Sequence, residues 1–423
     1  DRAVAHLAAF LVAVSPFAIY LAREARHYTL AILLIIASMC CLVKAARAVL
    51  NGESFPIGLA LVWIGTNTLG IATHYFFALT LCSQLLVLVG LGISRSHLPQ
   101  PAWKNIFLAI LGTSAGGLVW VRVWQDIRQS NLTGWVYDGS PGIVEPLGRS
   151  IAWLSSTLVL LPSNTFVLPL PVVVILGVAT ACFLGWFARL FHRGLKIQTI
   201  PPNTRFSIQV FGGMVVACAV LMLALTYGFG SDLTLAPRFS FIYFPAWIIL
   251  VATVLGGWLR KSSSPIEFLR QNTRIAIVGL AGILGGLTVI ANLGYLQTHR
   301  SDLMADIITQ TSKVPVLIVT THKHHGDTGR MMGLAWEFER QNPSPGWTQP
   351  PQFLLAHKTE GSPDATPAAI ALQQGVAQLP RPVDIWAIDF HAPIELDTLG
   401  CDRDEALKQK LGDYRYKLYH CRE

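Results

Sequence analysis

Charge is what this sequence is shortest of. Asp, Glu, Lys and Arg make up 13% of its 423 residues, against about 25% in a soluble globular chain. A chain so poor in charge cannot present an ordinary water-facing surface along its whole length. Several familiar signatures are missing too. There is no Walker A sequence, no Rossmann glycine fingerprint and no His-Glu-x-x-His, and no nucleophile elbow is expected. Nucleotide-driven transport and the corresponding hydrolase chemistries therefore gain no support. No Lys/Arg stripe is interleaved with aromatics, so the net charge of +8 is not read as nucleic-acid binding. Internal repeats and low-complexity tracts are absent. The chain opens Asp1-Arg2, with neither an initiating Met nor a signal-peptide pattern. The expectation is a fragment whose N-terminal part lies upstream.

Hydrophobic residues supply 52% of the chain, and the mean hydropathy is +0.48. They come in blocks of roughly 17 to 25 residues, the length that crosses a bilayer as a helix. About nine spans are expected, over 5–20, 29–46, 57–73, 76–93, 106–121, 167–190, 208–227, 241–258 and 275–293. Basic residues orient them. One set of loops holds Arg2, Lys44, Arg47, Arg95, Lys104, Arg189, Arg193, Lys196, Arg205, Arg260, Lys261, Arg270 and Arg274. This richer set marks the cytoplasmic side. The other set holds Arg23, Arg26, Arg122, Arg128, Arg149 and Arg238. The two sets alternate if the short apolar stretch 151–161, which ends at Pro162, is interfacial or re-entrant rather than spanning. Everything after Leu296 then lies outside the cytoplasm.

The composition changes at residue 297, dividing the chain into a membrane domain over 1–296 and a soluble domain over 297–423. In the second, strands are expected over 314–321, 352–356 and 383–390, and helices over 329–341 and 367–379. That alternation predicts a small α/β unit. Cys40, Cys41, Cys82, Cys182 and Cys218 lie in apolar runs and read as small core residues. Cys401 and Cys421 lie in the tail; the sequence leaves open whether they pair.

Polar chemistry gathers at the outer ends of spans. The first cluster is Arg23-Glu24-Ala25-Arg26-His27-Tyr28. It could anchor the interface, or bind a phosphate-sugar headgroup with a carboxylate set beside guanidinium and phenol groups. On a helix Glu24 and Tyr28 would share a face, as would Arg23 and His27. The second is Thr73-His74-Tyr75-Phe76, readable as an aromatic-belt turn or as part of a site. The third is Pro237-Arg238-Phe239, whose Arg could snorkel to the interface or take a lipid phosphate. The long outer loop 122–164 holds Asp126, Asp138 and Glu145, with Trp120, Trp124, Trp135 and Tyr137 on or beside it. These suit sugar recognition, or equally an ordered polar loop. Asn131-Leu132-Thr133 fits the glycosylation pattern, one that also arises by chance. The run His322, Lys323, His324, His325 with Asp327 matches no zinc spacing and reads better as a solvated loop.

Three of these segments carry a resemblance. Ser15-Pro16-Phe17-Ala18-Ile19-Tyr20, followed by Arg23-Glu24-Ala25-Arg26-His27-Tyr28-Thr29-Leu30, resembles a segment of bacterial glycosyltransferase family 39-like proteins. These are relatives of protein O-mannosyltransferases and the lipid A aminoarabinose transferase. Arg23 stands where that family has Gln, and His27 where it has Met. Thr73-His74-Tyr75 and Pro237-Arg238-Phe239 with Phe244-Pro245-Ala246 resemble two further family segments, in the same order. The resemblance covers the membrane part only.

It implies a mainly α, GT-C-like transmembrane bundle with a small C-terminal extracytoplasmic α/β domain, in a bacterial inner membrane. It also implies an enzyme that moves a sugar from a polyprenyl-phosphate donor to an extracytoplasmic lipid, glycan or protein, with inversion. A carboxylate would act as general base, and basic side chains would neutralise the departing phosphate. The family's catalytic Asp lies in its first outer loop, which places it upstream of Asp1 here. The resemblance puts Glu24, Arg26, Tyr28, His74, Tyr75 and Arg238 at the donor site. Arg26 and Arg238 would take the phosphate, Glu24 would orient a basic side chain or the sugar, and His74 and Tyr75 would donate hydrogen bonds. No cofactor is expected, although divalent-metal dependence varies among GT-C enzymes. A secondary transporter, an O-antigen ligase or polymerase, and a non-catalytic envelope scaffold are the rival readings.

Overall fold

The structure, a computed structural model, describes residues 2–24, 26–93, 100–129, 136, 142–165, 168–196, 201–259, 265–296, 299–340, 350–358, 364–407, 410–411 and 414–422. The chain is mostly helical and divides into two compact units, Asp1–Leu296 and Gln297–Glu423.

In the first unit, apolar runs broken by Pro, Gly and charge give twelve helices among the described residues. They are α1 (Arg2–Val14), α2 (Pro16–Arg23), α3 (Tyr28–Asn51), α4 (Ile57–Thr73), α5 (Phe77–Ile93), α6 (Gln100–Leu118), α7 (Val121–Gln129), α8 (Glu145–Ser156), α9 (Leu170–Leu195), α10 (Pro202–Phe229), α11 (Phe244–Leu259) and α12 (Pro265–Ile290). Four are long and apolar enough to cross a membrane: α3, α9, α10 and α12 over Asn272–Ile290. Helices α4, α5 and α11 are apolar but shorter. Helix α6 carries Lys104 and Asn105 in its first half and is not among the four. The stretch 151–161 makes no spanning helix, since α8 ends at Ser156.

The span expected over 5–20 is not one straight helix. Helices α1 and α2 meet at 54°, and only as a bent pair do they make a fifth apolar span. The break has a local cause. Pro16 has no N–H to continue the ladder, and the Ser15 side chain caps α2 by accepting from the Ala18 N–H. The Ser15 hydroxyl in turn donates to the Thr157 carbonyl at 2.7 Å.

Helix α3 buries Ala31, Ile35, Ser38, Leu42, Ala45 and Val49, spaced three or four apart, and packs on α4 and α5. Helix α6 packs closely on α4. A Cβ on Gly116 would fall 2.6 Å from Thr68 Oγ1, and one on Gly112 the same distance from Ile64 Cδ1. Small residues four apart let the side chains of one apolar helix pack directly against the backbone of another. Helix α10 contains a π turn over Ile208–Gly212. The chain around that turn packs on α11, and the helix beyond it packs on α5 through Met214, Cys218 and Met222. Helix α9 buries only Phe187, Leu190 and Gly194, leaving Val174, Ile175 and Val178 exposed. A long helix apolar all round suits lipid rather than water. These helices fit a membrane protein.

In the second unit a sheet runs in the order β2-β1-β3-β6-β4. Its strands are β1 (Val316–His322), β2 (Gln352–His357), β3 (Val383–Ile388), β4 (Cys401–Arg403) and β6 (Tyr414–Cys421), with β5 (Lys410–Leu411) paired to β6. Strands β1, β2 and β3 are parallel, while β6 is antiparallel to β3 and β4. Helices α13 (Ser301–Thr311) and α14 (His325–Arg340) cover one face, burying Met304, Ile308 and Leu334 against Ile318, Trp386 and Leu418. Helix α15 (Thr366–Ala377) covers the other, with Leu372 and Val376 against Leu317, Val319 and Ile385. Neighbouring strand residues point to opposite faces, as the pleat requires. Cys401 and Cys421 are register partners and form a disulfide.

Candidate functional site

Three turns of the first unit carry the residues singled out in the sequence. The first joins α2 to α3. The backbone becomes extended at Glu24, and α3 begins only at Tyr28. Glu24 and Tyr28 therefore do not share a helical face, nor do Arg23 and His27; the helical expectation fails because the chain turns here. Arg23 instead donates to the Val289 carbonyl. Glu24 points back one turn, where the Tyr20 hydroxyl donates to its Oε1 at 2.9 Å. Arg26 Nε stands 3.7 Å from Glu24 Oε2. That oxygen is buried and accepts no hydrogen bond among the described residues.

The second turn follows α4. His74 caps this helix, its N–H donating to the Gly70 carbonyl at 2.9 Å. The Phe76 N–H donates to His74 Nδ1 at 3.1 Å, which leaves the ring proton of the neutral imidazole on Nε2. A Cβ on Gly70 would lie 2.4 Å from Phe77 Cζ, so glycine there lets the buried Phe77 ring fill the space beneath the turn. The third turn is the 3₁₀ segment Pro237–Ile242, opened by Pro237 and carrying Arg238.

These turns converge. The His74 ring lies 5.0 Å from His27, 5.5 Å from Tyr28, 4.8 Å from Phe241 and 5.0 Å from Tyr75, centroid to centroid. Phe76 meets Phe239 edge-on at 4.7 Å. The Arg238 guanidinium sits 5.7 Å from the Phe239 ring and within electrostatic reach of Tyr20, Tyr28 and His74. Arg26 is in hydrogen-bonding reach of Tyr28. Glu24, Arg26, Tyr28, His74, Tyr75 and Arg238 thus occupy one neighbourhood. Burial pushes the His74 imidazole down to about 3, helped by His27 and Arg238. Burial and then Arg26 lower His27 as well. Two guanidinium groups, a carboxylate with an oxygen that accepts no hydrogen bond among the described residues and a neutral imidazole N–H together can bind an anionic, hydroxyl-rich headgroup.

Other residues fall elsewhere. Asp126 is exposed on α7, Glu145 pairs with Arg149 at 3.4 Å, and Trp120 and Trp124 pack against the apolar core. Asn131, Thr133, Trp135, Tyr137 and Asp138 lie outside the described residues. In the tail, Asp327 Oδ2 accepts from the backbone N–H groups of Lys323 and His324, tying down the histidine run. Among the described residues no three His, Cys, Asp or Glu side chains are grouped to hold a metal. Gly112-Thr113-Ser114-Ala115-Gly116 spells Gly-x-Ser-x-Gly. It lies inside α6 and packs on α4, without the strand-to-helix turn a nucleophile elbow needs.

Two features escaped the sequence reading. Tyr20, read as the end of an apolar run and as part of the resembling segment but given no role, anchors Glu24. Asp232 is buried, pairs with Arg149, and accepts from the Thr234 hydroxyl at 2.6 Å. One signal was available: Asp232 is the only acidic residue between Glu145 and Glu267. Compared with known proteins, the chain matches no family model. No curated protein and no solved structure matches it either.

Proposed function

We propose that the protein is a membrane glycosyltransferase that takes a sugar from a polyprenyl-phosphate donor and passes it to an acceptor outside the cytoplasm. One observation carries this reading. Three segments far apart in sequence, each with its own family resemblance, meet through His74, with Arg238 beside it and Arg26 beside His27 and Tyr28. Arginine suits phosphate because its planar fork matches two oxygens at once. In this reading Arg26 and Arg238 hold the phosphate and neutralise it as it leaves. Glu24 orients a basic side chain or the sugar. His74 and Tyr75 donate hydrogen bonds. No general base is assigned within this chain. The GT-C architecture, with nine spans counting α4, α5, α6, α11 and the bent α1–α2 pair, belongs to the same proposal. The tail is then extracytoplasmic in a bacterial inner membrane, which the Cys401–Cys421 disulfide favours because such bonds persist in oxidising compartments.

The test is transfer from radiolabelled polyprenyl-phosphate sugars in membranes holding the protein. Arg26→Ala and Arg238→Ala should each reduce transfer on the order of 10²-fold, as loss of one charge-stabilising donor does elsewhere. No transfer from any such donor would reject the proposal.

A secondary transporter draws support from one observation. Ser38, Asn67 and Gln84 form an uncharged hydrogen-bonded cluster midway along α3, α4 and α5, the depth at which transporters hold substrate. Solute uptake into proteoliposomes, with no sugar transfer, would favour that reading.

A further inference from the structure

The same polar cluster borders a cleft that the transferase reading does not use. Helix α6 packs chiefly on α4, so a gap remains between α5 and α6. This gap is a cavity of about 370 Å³, within the range of small-molecule sites. Its walls are apolar, including Leu81, Leu88 and Ile110, and among the described residues no charged one lines it. Leu85 and Leu118 on its rim are exposed on the outside of the bundle, so the cleft opens sideways toward lipid.

Its polar residues are Asn67, Gln84, Thr113 and Ser114. Gln84 is 1% exposed. The Ser38 hydroxyl accepts from Trp63 Nε1 at 2.9 Å and contacts both Asn67 Oδ1 at 2.7 Å and Gln84 Oε1 at 3.0 Å. A hydroxyl has one proton, so it cannot donate to both. Asn67, the nearer, takes the proton; Gln84 then turns its NH₂ toward Ser38 or forgoes a bond. In either orientation one end of the Gln84 amide is buried without a hydrogen-bond partner among the described residues. Such a group is costly in an apolar surrounding, and a bare acyl chain in the cleft would leave it unsatisfied.

We propose that the cleft between α5 and α6 binds a long-chain membrane alcohol, hydroxyl inward at Gln84 and chain passing out between Leu85 and Leu118. A hydroxyl both donates and accepts, so it satisfies the amide whichever end it presents. A charged headgroup is disfavoured because the described residues of the lining offer no countercharge. This inference is independent of the donor site at His74.

The test uses the full protein in lipid nanodiscs and two photoreactive probes, a diazirine-bearing hexadecanol and its alkane counterpart without the hydroxyl. The alcohol should label peptides from α5 and α6 at least tenfold more strongly than the alkane, and unlabelled hexadecanol should compete. Gln84→Leu should abolish that preference. Leu85→Trp, at the exposed rim and away from the polar cluster, should lower labelling to a similar extent without touching the amide. Equal labelling by both probes, or an undiminished preference in Gln84→Leu, would overturn the proposal and leave a groove for acyl chains. Labelling no stronger than on the lipid-facing side of α9 would overturn it too, leaving only water at Gln84.

Discussion

An imidazole buried beside a second imidazole and a guanidinium gives up its proton readily, and His74 is held down to about 3 for that reason. A histidine lowered in the folded state costs stability when the unfolded chain can bind the proton instead. The His74 contribution is therefore intact above about 6.5, the ordinary histidine value. It is lost progressively as pH falls from there toward about 3. His74→Asn keeps an acceptor for the Phe76 N–H and removes the titration. Thermal unfolding of detergent-purified protein should fall less steeply below pH 6.5 in this variant than in the parent. Glu24 offers a second test at this scale, since Glu24→Gln keeps an oxygen for Tyr20 but removes the charge. If Glu24 orients the donor, transfer should drop on the order of 10- to 100-fold, the weight of a hydrogen bond to a charged group, with thermal stability little changed. Glu24, Arg26, His74 and Arg238 were legible because each sits in a short dense motif. The Arg149–Asp232 pair was not, because it comes from packing between segments 83 residues apart.

Helices read from hydropathy were placed well where nothing interrupts them, and α4 follows the expected 57–73. Two interruptions were missed for different reasons. The bend at Ser15 depends on a cap and a proline inside an apolar run, which hydropathy averages over. The π turn in α10 leaves no mark on an evenly apolar stretch. In the tail β6 was missed although its burial alternates through Tyr414, Tyr416 and Leu418, because charged Arg415 and Lys417 between them dilute the apolar signal. Packing between α4 and α6 supplies the test for this scale. Gly116→Leu would drive a side chain into Thr68, and overpacking of this kind costs about 1–3 kcal/mol. The melting temperature of the purified protein should fall, while Gly90→Leu, where a Cβ meets nothing, should leave it nearly unchanged.

The whole molecule combines a unit suited to lipid with one that closes its own core on both faces of a sheet. The second should therefore fold when expressed alone as residues 297–423. Its disulfide closes a separation of 20 residues, worth roughly 3 kcal/mol in the chain-entropy account. Replacing Cys401 and Cys421 together by Ser should lower the denaturant midpoint of the isolated unit accordingly. A phosphatase fused after residue 423 should be active only if this unit lies outside the cytoplasm, which tests the orientation read from the basic loops. The π turn of α10 sets an arithmetic constraint on the first unit. Each residue of an α-helix advances the chain by about 100°. Deleting one residue within Ile208–Gly212 could restore regular winding, but it would swing Met214, Cys218 and Met222 away from α5 while the segment on α11 stayed in place. Homologues of this chain should therefore keep the residue count between these two contacts fixed even where the side chains vary.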